Sequence, residues 1–291
     1  MTELIWINGA ISPLAGATIP VEERGFQFAD GVYEVIRVYD GVTFTLAEHL
    51  DRLVQSAEGI RLALPMSLEN LTEEIQSLIE RSGLRDGMIY LQLTRGAAPR
   101  NHVIPKNPKP TLLFYVRQLP RPAHPAQTPG VKLITLEDER WKRCWIKTIA
   151  LLPNVLAKTQ AIEAGADEAV FVENGIITEC SVSNLLAVIN GKLITAPVGK
   201  KVLPGITRAL LLDLAKSLNI RTEERPLTLT ECQQADEIMI TSTTREIGWV
   251  DQLDGKPIRR GGPGAIMLKL HEGYQARIRS VMSKRREIVN A

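Results

Sequence analysis

Leu119-Pro120-Arg121-Pro122-Ala123-His124-Pro125-Ala126-Gln127-Thr128-Pro129-Gly130 decides how this chain is divided. Proline fixes φ and removes a backbone donor, so four prolines in these twelve residues suit neither a helix nor a central strand. The run reads as a linker. It predicts an N-terminal α+β domain over residues 1–118, a linker over 119–130 and a C-terminal α+β domain over 131–291.

Upstream of the linker, Asn8-Gly9 and Asp40-Gly41 sit between alternating apolar runs and predict two hairpins. Residues 26–38 alternate and are rich in aromatic and β-branched side chains, which predicts a strand. Leu50, Leu53, Ala57 and Ile60 fall at helical spacing behind Thr45, predicting a helix over 46–62, and a second amphipathic helix follows over about 68–79. Strands over 88–94 and 111–116 enclose a polar, proline-bearing stretch, 96–110, a long loop of the kind that serves a site. Downstream, the pattern predicts a strand over 131–136, a helix over 155–164, hairpins at Asn174-Gly175 and Asn190-Gly191, a helix from Ile206, a strand over 237–240 and a helix over 265–283. Strands and helices mix without a strict βαβ rhythm, so two α+β domains are favoured over a doubly wound sheet.

Composition narrows the function. In 291 residues, 35 Lys+Arg against 33 Asp+Glu leave a formal charge of +2, with the basic residues dispersed among acids, so nothing points to nucleic acid. The longest apolar runs fall far short of the roughly 20 residues a membrane span needs, and the opening MTELIWING carries no basic and apolar leader pattern. Cys144, Cys180 and Cys232 are widely spaced, which argues against disulfides and thiolate metal sites and for a reducing cytoplasm. His49, His102, His124 and His271 never fall at a spacing that pairs two on one helical turn, so no metal site is expected.

Lys147 interrupts an otherwise apolar stretch of Trp145, Ile146, Ile149, Ala150, Leu151 and Leu152. Desolvation lowers a lysine pKa and makes the amine a nucleophile suited to Schiff-base formation; the alternative is an edge lysine with its head in water. Leu203-Pro204-Gly205-Ile206-Thr207-Arg208 leads into an apolar helix, and exposed amides at such a start make an anion site, or simply an ordinary capped helix. Thr241-Ser242-Thr243-Thr244 offers further hydroxyl donors or a polar strand end. Arg100 and His102, two residues apart in the long loop, form a carboxylate trap or a solvated loop surface. The fingerprints of P-loops, dinucleotide sites and serine-hydrolase elbows are all absent.

Taken together, Lys147, the Gly205-Ile206-Thr207 turn and Glu179-Cys180-Ser181-Val182-Ser183-Asn184 resemble the class-IV group of pyridoxal phosphate-dependent aminotransferases. Phe28-Ala29-Asp30-Gly31-Val32-Tyr33-Glu34-Val35, Glu48-His49-Leu50-Asp51-Arg52-Leu53, the stretch from Thr94 to His102, the stretch from Arg140 to Lys147 and Thr241-Ser242-Thr243-Thr244-Arg245-Glu246-Ile247 are similar to its D-amino acid aminotransferase subfamily. The matches run in order over about residues 4–280.

The resemblance implies the two-domain class-IV fold, with pyridoxal 5'-phosphate in an interdomain cleft and its lysine, Lys147, in the C-terminal domain. Lys147 would hold the cofactor as a Schiff base and shuttle the substrate proton. Glu179 would keep the pyridine nitrogen protonated, and Arg52, Ile206, Thr207 and Thr243 would hold the phosphate. Leu203 would pack on the ring, with Ser181 and Ser242 as further contacts. Tyr33, with Arg100 and His102 from the other subunit, would grip the substrate α-carboxylate. Arg37 lies beside this pocket and, if it points inward, would attract the distal carboxylate of D-glutamate or D-aspartate. Leu186 stands where the group carries Phe or Tyr, a packing change.

The implied activity is ping-pong transamination between a D-amino acid such as D-alanine and 2-oxoglutarate or pyruvate, in a cytoplasmic homodimer that shares the long loop. Rival readings are a branched-chain L-amino acid aminotransferase, an (R)-amine transaminase, an aminodeoxychorismate lyase and a cofactor-binding protein that has lost its reaction.

Overall fold

The computed structural model describes residues 2–258 and 261–289, and in it the turn dipeptides behave as their chemistry dictates. Asn8, Asp40, Asn174 and Asn190 all take left-handed φ, between 47° and 52°, and each following glycine does too. Two successive residues of this kind make the tight hairpin turn.

The chain forms two compact units, one of Met1–Arg121, Ile146–Ala150 and the chain from Val281, the other of Pro122–Trp145 and Leu151–Ser280. The sequence assigns Lys147 to the second domain, and here the structure differs. Its short segment packs with the first unit because its backbone pairs there: the Tyr33 N–H donates to the Lys147 carbonyl at 3.0 Å, the Ile149 N–H donates to the Gly31 carbonyl at 3.2 Å, and Val32 bridges Thr148.

In the first unit, β1 (Leu4–Ile7), β2 (Ala10–Pro13), β3 (Gly31–Tyr39), β4 (Val42–Thr43), β5 (Gly87–Thr94) and β6 (Thr111–Gln118) form an antiparallel sheet in the order β2-β1-β6-β5-β3-β4. Residues 26–28 belong not to the expected strand but to a short helix, α1 (Arg24–Phe28). The Glu23 carboxylate caps it by accepting the Phe26 N–H at 3.1 Å, and Ala29, at φ 53°, ends it. The strand starts at Gly31, where a Cβ would lie 2.7 Å from the Leu93 carbonyl oxygen. Two amphipathic helices, α2 (Leu46–Gly59) and α3 (Leu68–Ser82), cover one face of the sheet and bury Leu50, Leu53, Leu71, Ile75 and Leu78. Full burial of each such side chain contributes about 1.5–3 kcal/mol.

Alternation along β3 puts Val32, Glu34 and Ile36 on that covered face and Tyr33 and Val35 on the half-open one. Glu34 is fully buried, a placement that requires opposite charge. From α2, Arg52 supplies it with Nε at 2.7 Å from Oε1 and Nη2 at 2.8 Å from Oε2, and His49 Nδ1 lies 2.7 Å from Oε2.

In the second unit, β7 (Val131–Glu137), β8 (Glu168–Glu173), β9 (Ile176–Cys180), β10 (Asn184–Ile189), β11 (Lys192–Thr195), β12 (Thr222–Glu224), β13 (Leu227–Thr228), β14 (Glu237–Ser242), β15 (Glu246–Leu253) and β16 (Lys256–Pro257) form a mixed sheet. Its order is β12-β11-β10-β14-β15-β7-β8-β9-β13, with β16 on β15. The remaining helices are α4 (Leu152–Glu163), α5 (Ile206–Ser217), α6 (Leu229–Gln233) and α7 (Ala265–Val289). Val131, Val170, Ile177, Leu185, Ala187 and Ile240 meet in the core, and Leu186 is fully buried in β10, as a packing position should be. Trp249 donates its indole N–H to the carbonyls of Pro125 and Thr128 at 3.1 and 3.2 Å, which holds down the proline-rich stretch. No helix among the described residues is long and apolar enough to cross a membrane.

Burial alone would raise the Glu34 pKa, but the charge and hydrogen bonds of Arg52 outweigh it and hold the group at about 2, below its usual 4.5. A depressed carboxylate pKa stabilises the fold fully above the unfolded value and progressively less below it. The melting temperature should therefore fall as pH drops from 4.5 toward 2. Glu34→Gln should flatten that acid limb while destabilising the protein at neutral pH by roughly 3–5 kcal/mol, because the buried Arg52 loses the negative charge it faces. Melting curves across this range check both; an unchanged acid limb in the variant refutes the assignment.

Candidate active site

Lys147 is set by its main chain. Beyond the bond to Tyr33, its N–H donates to Ser56 Oγ of α2 at 3.1 Å, between the buried neighbours Ile146 and Thr148. Its side chain is free to bend over Tyr33, placing Nζ 4.3 Å from the ring centroid. A half-buried amine on an aromatic face, one residue along β3 from the Glu34 cluster, is placed to attack a carbonyl and to carry a proton. Burial, the largest influence, keeps His49 below its usual pKa of 6.5, and the charges of Arg52 and Lys147 act in the same direction. The imidazole is therefore neutral at neutral pH, and a neutral ring can donate Nδ1–H to Glu34.

Tyr33 lies on the open sheet face, stacked with Tyr90 at 5.7 Å, and Tyr90 stacks with Tyr115 at 5.1 Å. Arg100 and His102 are both exposed and gather on the Phe28 ring, at 5.0 and 5.2 Å from its centroid. Arg37 points inward, but toward protein. It is fully buried and gives Nη2 to the carbonyls of Leu119 and Pro120 at 3.1 and 2.7 Å. Those bonds tie β3 to the start of the proline-rich stretch, while the buried Nε and Nη1 of Arg37 have no hydrogen-bond partner among the described residues.

The second unit builds a separate cluster around Glu179, at the end of β9. Arg140 Nη1 pairs with Oε1, while Oε2 accepts Asn184 Nδ2 and the Leu203 N–H, each at 3.0 Å. Asn184 Nδ2 also reaches the Leu203 carbonyl at 3.1 Å. Arg140 is shared with Asp138 and lies 4.4 Å above the Phe171 ring centroid. Burial works against its charge, but Asp138 and Glu179 prevail and hold its pKa above the usual 12.5. Both carboxylate oxygens of Glu179 are thus held by the protein.

Gly205 begins α5 without any side-chain cap, so the first amides of the helix, those of Ile206 and buried Thr207, are left for an anion. A Cβ at Gly205 would fall 1.9 Å from Asn184 Oδ1, so only glycine lets the helix start this close to the Glu179 cluster. Ser181 and Ser242 are not bonded to that cluster among the described residues. Ser181 gives its N–H to the Ala169 carbonyl and its own carbonyl to Asn154, and Ser242 Oγ accepts the Arg245 N–H at 3.3 Å. The buried hydroxyls of Ser181 and Thr241 have no partner among the described residues.

Each unit carries part of what a phosphorylated pyridine aldehyde requires: the first an amine that suits an aldehyde, the second a carboxylate that suits a protonated ring nitrogen, an uncapped helix start that suits a dianion, and orphaned hydroxyls. Sequence reasoning missed Glu34, Asn184 and Arg140 as functional groups, although Glu34 could be read as a charge on the apolar face of an alternating strand. Arg140 and Asn184 lie in stretches quoted for the resemblance, but that both converge on Glu179, from 39 and five residues away, shows only in the structure.

A family model described as amino-transferase class IV matches residues 31–253. The D-alanine aminotransferase of Staphylococcus epidermidis is 39% identical over 277 residues, covering 95% of this chain and 98% of that protein. The D-alanine aminotransferase of Listeria monocytogenes is 41% identical over 273 residues, covering 93% and 94%. Among solved structures, the Escherichia coli branched-chain amino acid aminotransferase superposes with a TM-score of 0.88 at 26% identity, covering 95% of this chain and 94% of that one. The branched-chain amino acid aminotransferase of T.th., solved with pyridoxamine 5'-phosphate, reaches 0.88 at 28% identity, covering 99% and 96%.

Gly205→Ala should weaken pyridoxal phosphate binding by about tenfold or more, ~1.4 kcal/mol, since the methyl group displaces Asn184 from Glu179. Equilibrium dialysis of the apoprotein measures this, and an unchanged dissociation constant would show that the helix start does not touch the cofactor.

Proposed function

The chain belongs to the class IV aminotransferase family, and from that premise we propose that it exchanges an amino group between a D-amino acid, D-alanine first, and a 2-oxo acid such as 2-oxoglutarate or pyruvate, in two half-reactions on pyridoxal 5'-phosphate. The observation that carries the choice of D-amino acids is the Arg100-Asn101-His102 tip, two cations exposed together on one loop. Identity of 39–41% to D-alanine aminotransferases over nearly the whole chain supports it.

When bound, pyridoxal phosphate supplies an electron sink that stabilises negative charge at the substrate α-carbon. Lys147 Nζ would carry the proton from that carbon to C4′ of the cofactor in the first half-reaction, and from C4′ to the α-carbon of the acceptor in the second. Glu179 holds a proton on the ring nitrogen, a role that its bonds to Arg140, Asn184 and Leu203 fix in space. The Ile206 and Thr207 amides, the Thr207 hydroxyl, Thr243 and Arg52 would hold the phosphate, the Leu203 side chain would pack on the ring, and Ser181 and Ser242 would add hydroxyl contacts. Tyr33, Arg100 and His102 hold the substrate carboxylate, which leaves the α-hydrogen toward the lysine.

The protein works as a homodimer whose long loop serves the neighbouring subunit. Val103 and Ile104, beside His102, are 71% and 41% exposed, and α4 exposes Leu152, Val155 and Leu156, apolar surface that a second copy would cover. Three buried free thiols accord with a cytoplasmic location.

D-alanine should discharge the long-wavelength absorption of the bound cofactor and yield pyruvate, 2-oxoglutarate should restore it, and L-leucine should leave it unchanged. A response to L-leucine alone would make this a branched-chain enzyme instead. Mixing inactive Arg100→Ala and Lys147→Ala chains should regain about a quarter of wild-type activity, since half the dimers are mixed and each holds one complete site. No recovery after confirmed subunit exchange would mean that each chain uses its own loop.

A further inference from the structure

The loop that carries Arg100 and His102 is built onto α1. At its base the Arg24 N–H donates to the Gly96 carbonyl at 3.0 Å and the Ala98 N–H to the Glu22 carbonyl at 3.2 Å. Gly96 closes the loop at φ 90°, where a Cβ would collide with the Lys109 carbonyl. At its tip, Arg24 Nη1 reaches the carbonyl of Asn101, the residue between the two cations, at 2.5 Å. Arg24 is itself buried and locked by Nε to Asp30 Oδ2 at 2.9 Å, and Asp30 is held from the other side by Arg95 Nε and Nη2 at 2.8 and 2.9 Å. Arg95 is anchored to the carbonyls of Ile60 and Arg61.

The Phe28 ring completes this arrangement. The Arg24 guanidinium lies 4.8 Å from its centroid, that of Arg100 5.0 Å and the His102 ring 5.2 Å. An aromatic face attracts a guanidinium and gives two exposed side chains a fixed seat that water would not provide. We propose that Arg24 and Phe28 are positioning residues that hold Arg100 and His102 ready for the substrate carboxylate before substrate arrives. This rests on the D-amino acid transamination proposed above. Preorganised cations lower the cost of binding a carboxylate without entering the bond-making step, so the seat acts on substrate affinity and not on the rate at saturation.

The test is Phe28→Leu, which keeps apolar bulk and removes the ring face, with Phe28→Tyr as the conservative variant. Phe28→Leu should raise KM for D-alanine and for 2-oxoglutarate by about tenfold each, with kcat within about twofold. Phe28→Tyr should restore both KM values. Amide hydrogen exchange should speed up over residues 97–104 in Phe28→Leu and stay unchanged over 31–39. Unchanged KM with unchanged exchange, or a fall in kcat at constant KM, overturns the proposal. If the wild-type protein turns over no D-amino acid, the functional reading fails by itself, and the exchange measurement then decides whether Phe28 seats the loop.

Discussion

A buried carboxylate must be met by opposite charge or it unfolds the structure around it, and the placement of Lys147 depends on how Glu34 is met. Arg52 and His49, one helical turn apart on α2, both point at it. Their bonds fix the register of β3 against the helix. Since Tyr33 is the next residue along the strand, locking Glu34 on the covered face locks Tyr33 on the open one. The same strand edge and helix hold the Lys147 backbone, through the Tyr33 N–H and Ser56 Oγ. The reactive amine is thus placed by groups that never touch its nitrogen.

The second unit solves a similar problem in a different way. Glu179 is tied by a guanidinium, a carboxamide and a backbone amide that converge from β10 and from the turn before α5. Asn184 is central because it bonds the carboxylate, bonds the Leu203 carbonyl and touches the space that Gly205 leaves empty. Carboxylate and uncapped helix start therefore come as one piece, and a shift in either is passed to the other.

Solved branched-chain aminotransferases share this fold at 26–28% identity, whereas D-alanine aminotransferases reach 39–41% by sequence. A shared fold does not choose the substrate. What differs from one family member to another is best sought on loops that a rigid scaffold presents, and here the Arg100-Asn101-His102 tip on its α1 support is such a loop.

Much was legible in the sequence where the cause is local. Asn-Gly and Asp-Gly turns, the apolar stripes of α2 and α3 and the glycine before α5 each impose their conformation within a few residues, so hairpins, helices and the candidate anion site could be placed from pattern alone. The residues that resemble the class-IV group likewise pointed to the fold and to Lys147. Local pattern failed where distant groups decide. Residues 26–28 alternate like a strand, yet Glu23, itself held by Thr94 from 71 residues away, caps them into a helix. Ile146–Ala150 follows the linker but packs with the first unit, because a free edge of β3 offers it backbone partners. Whether Arg37 points inward or outward cannot be read from its neighbours in sequence, because its Nη2 is drawn in by carbonyls more than eighty residues away. Sequence by itself determined the elements and the chemistry available, because propensity and residue type act locally. Only the tertiary structure decided which charges meet, because burial makes a charge seek whatever partner the fold brings within reach.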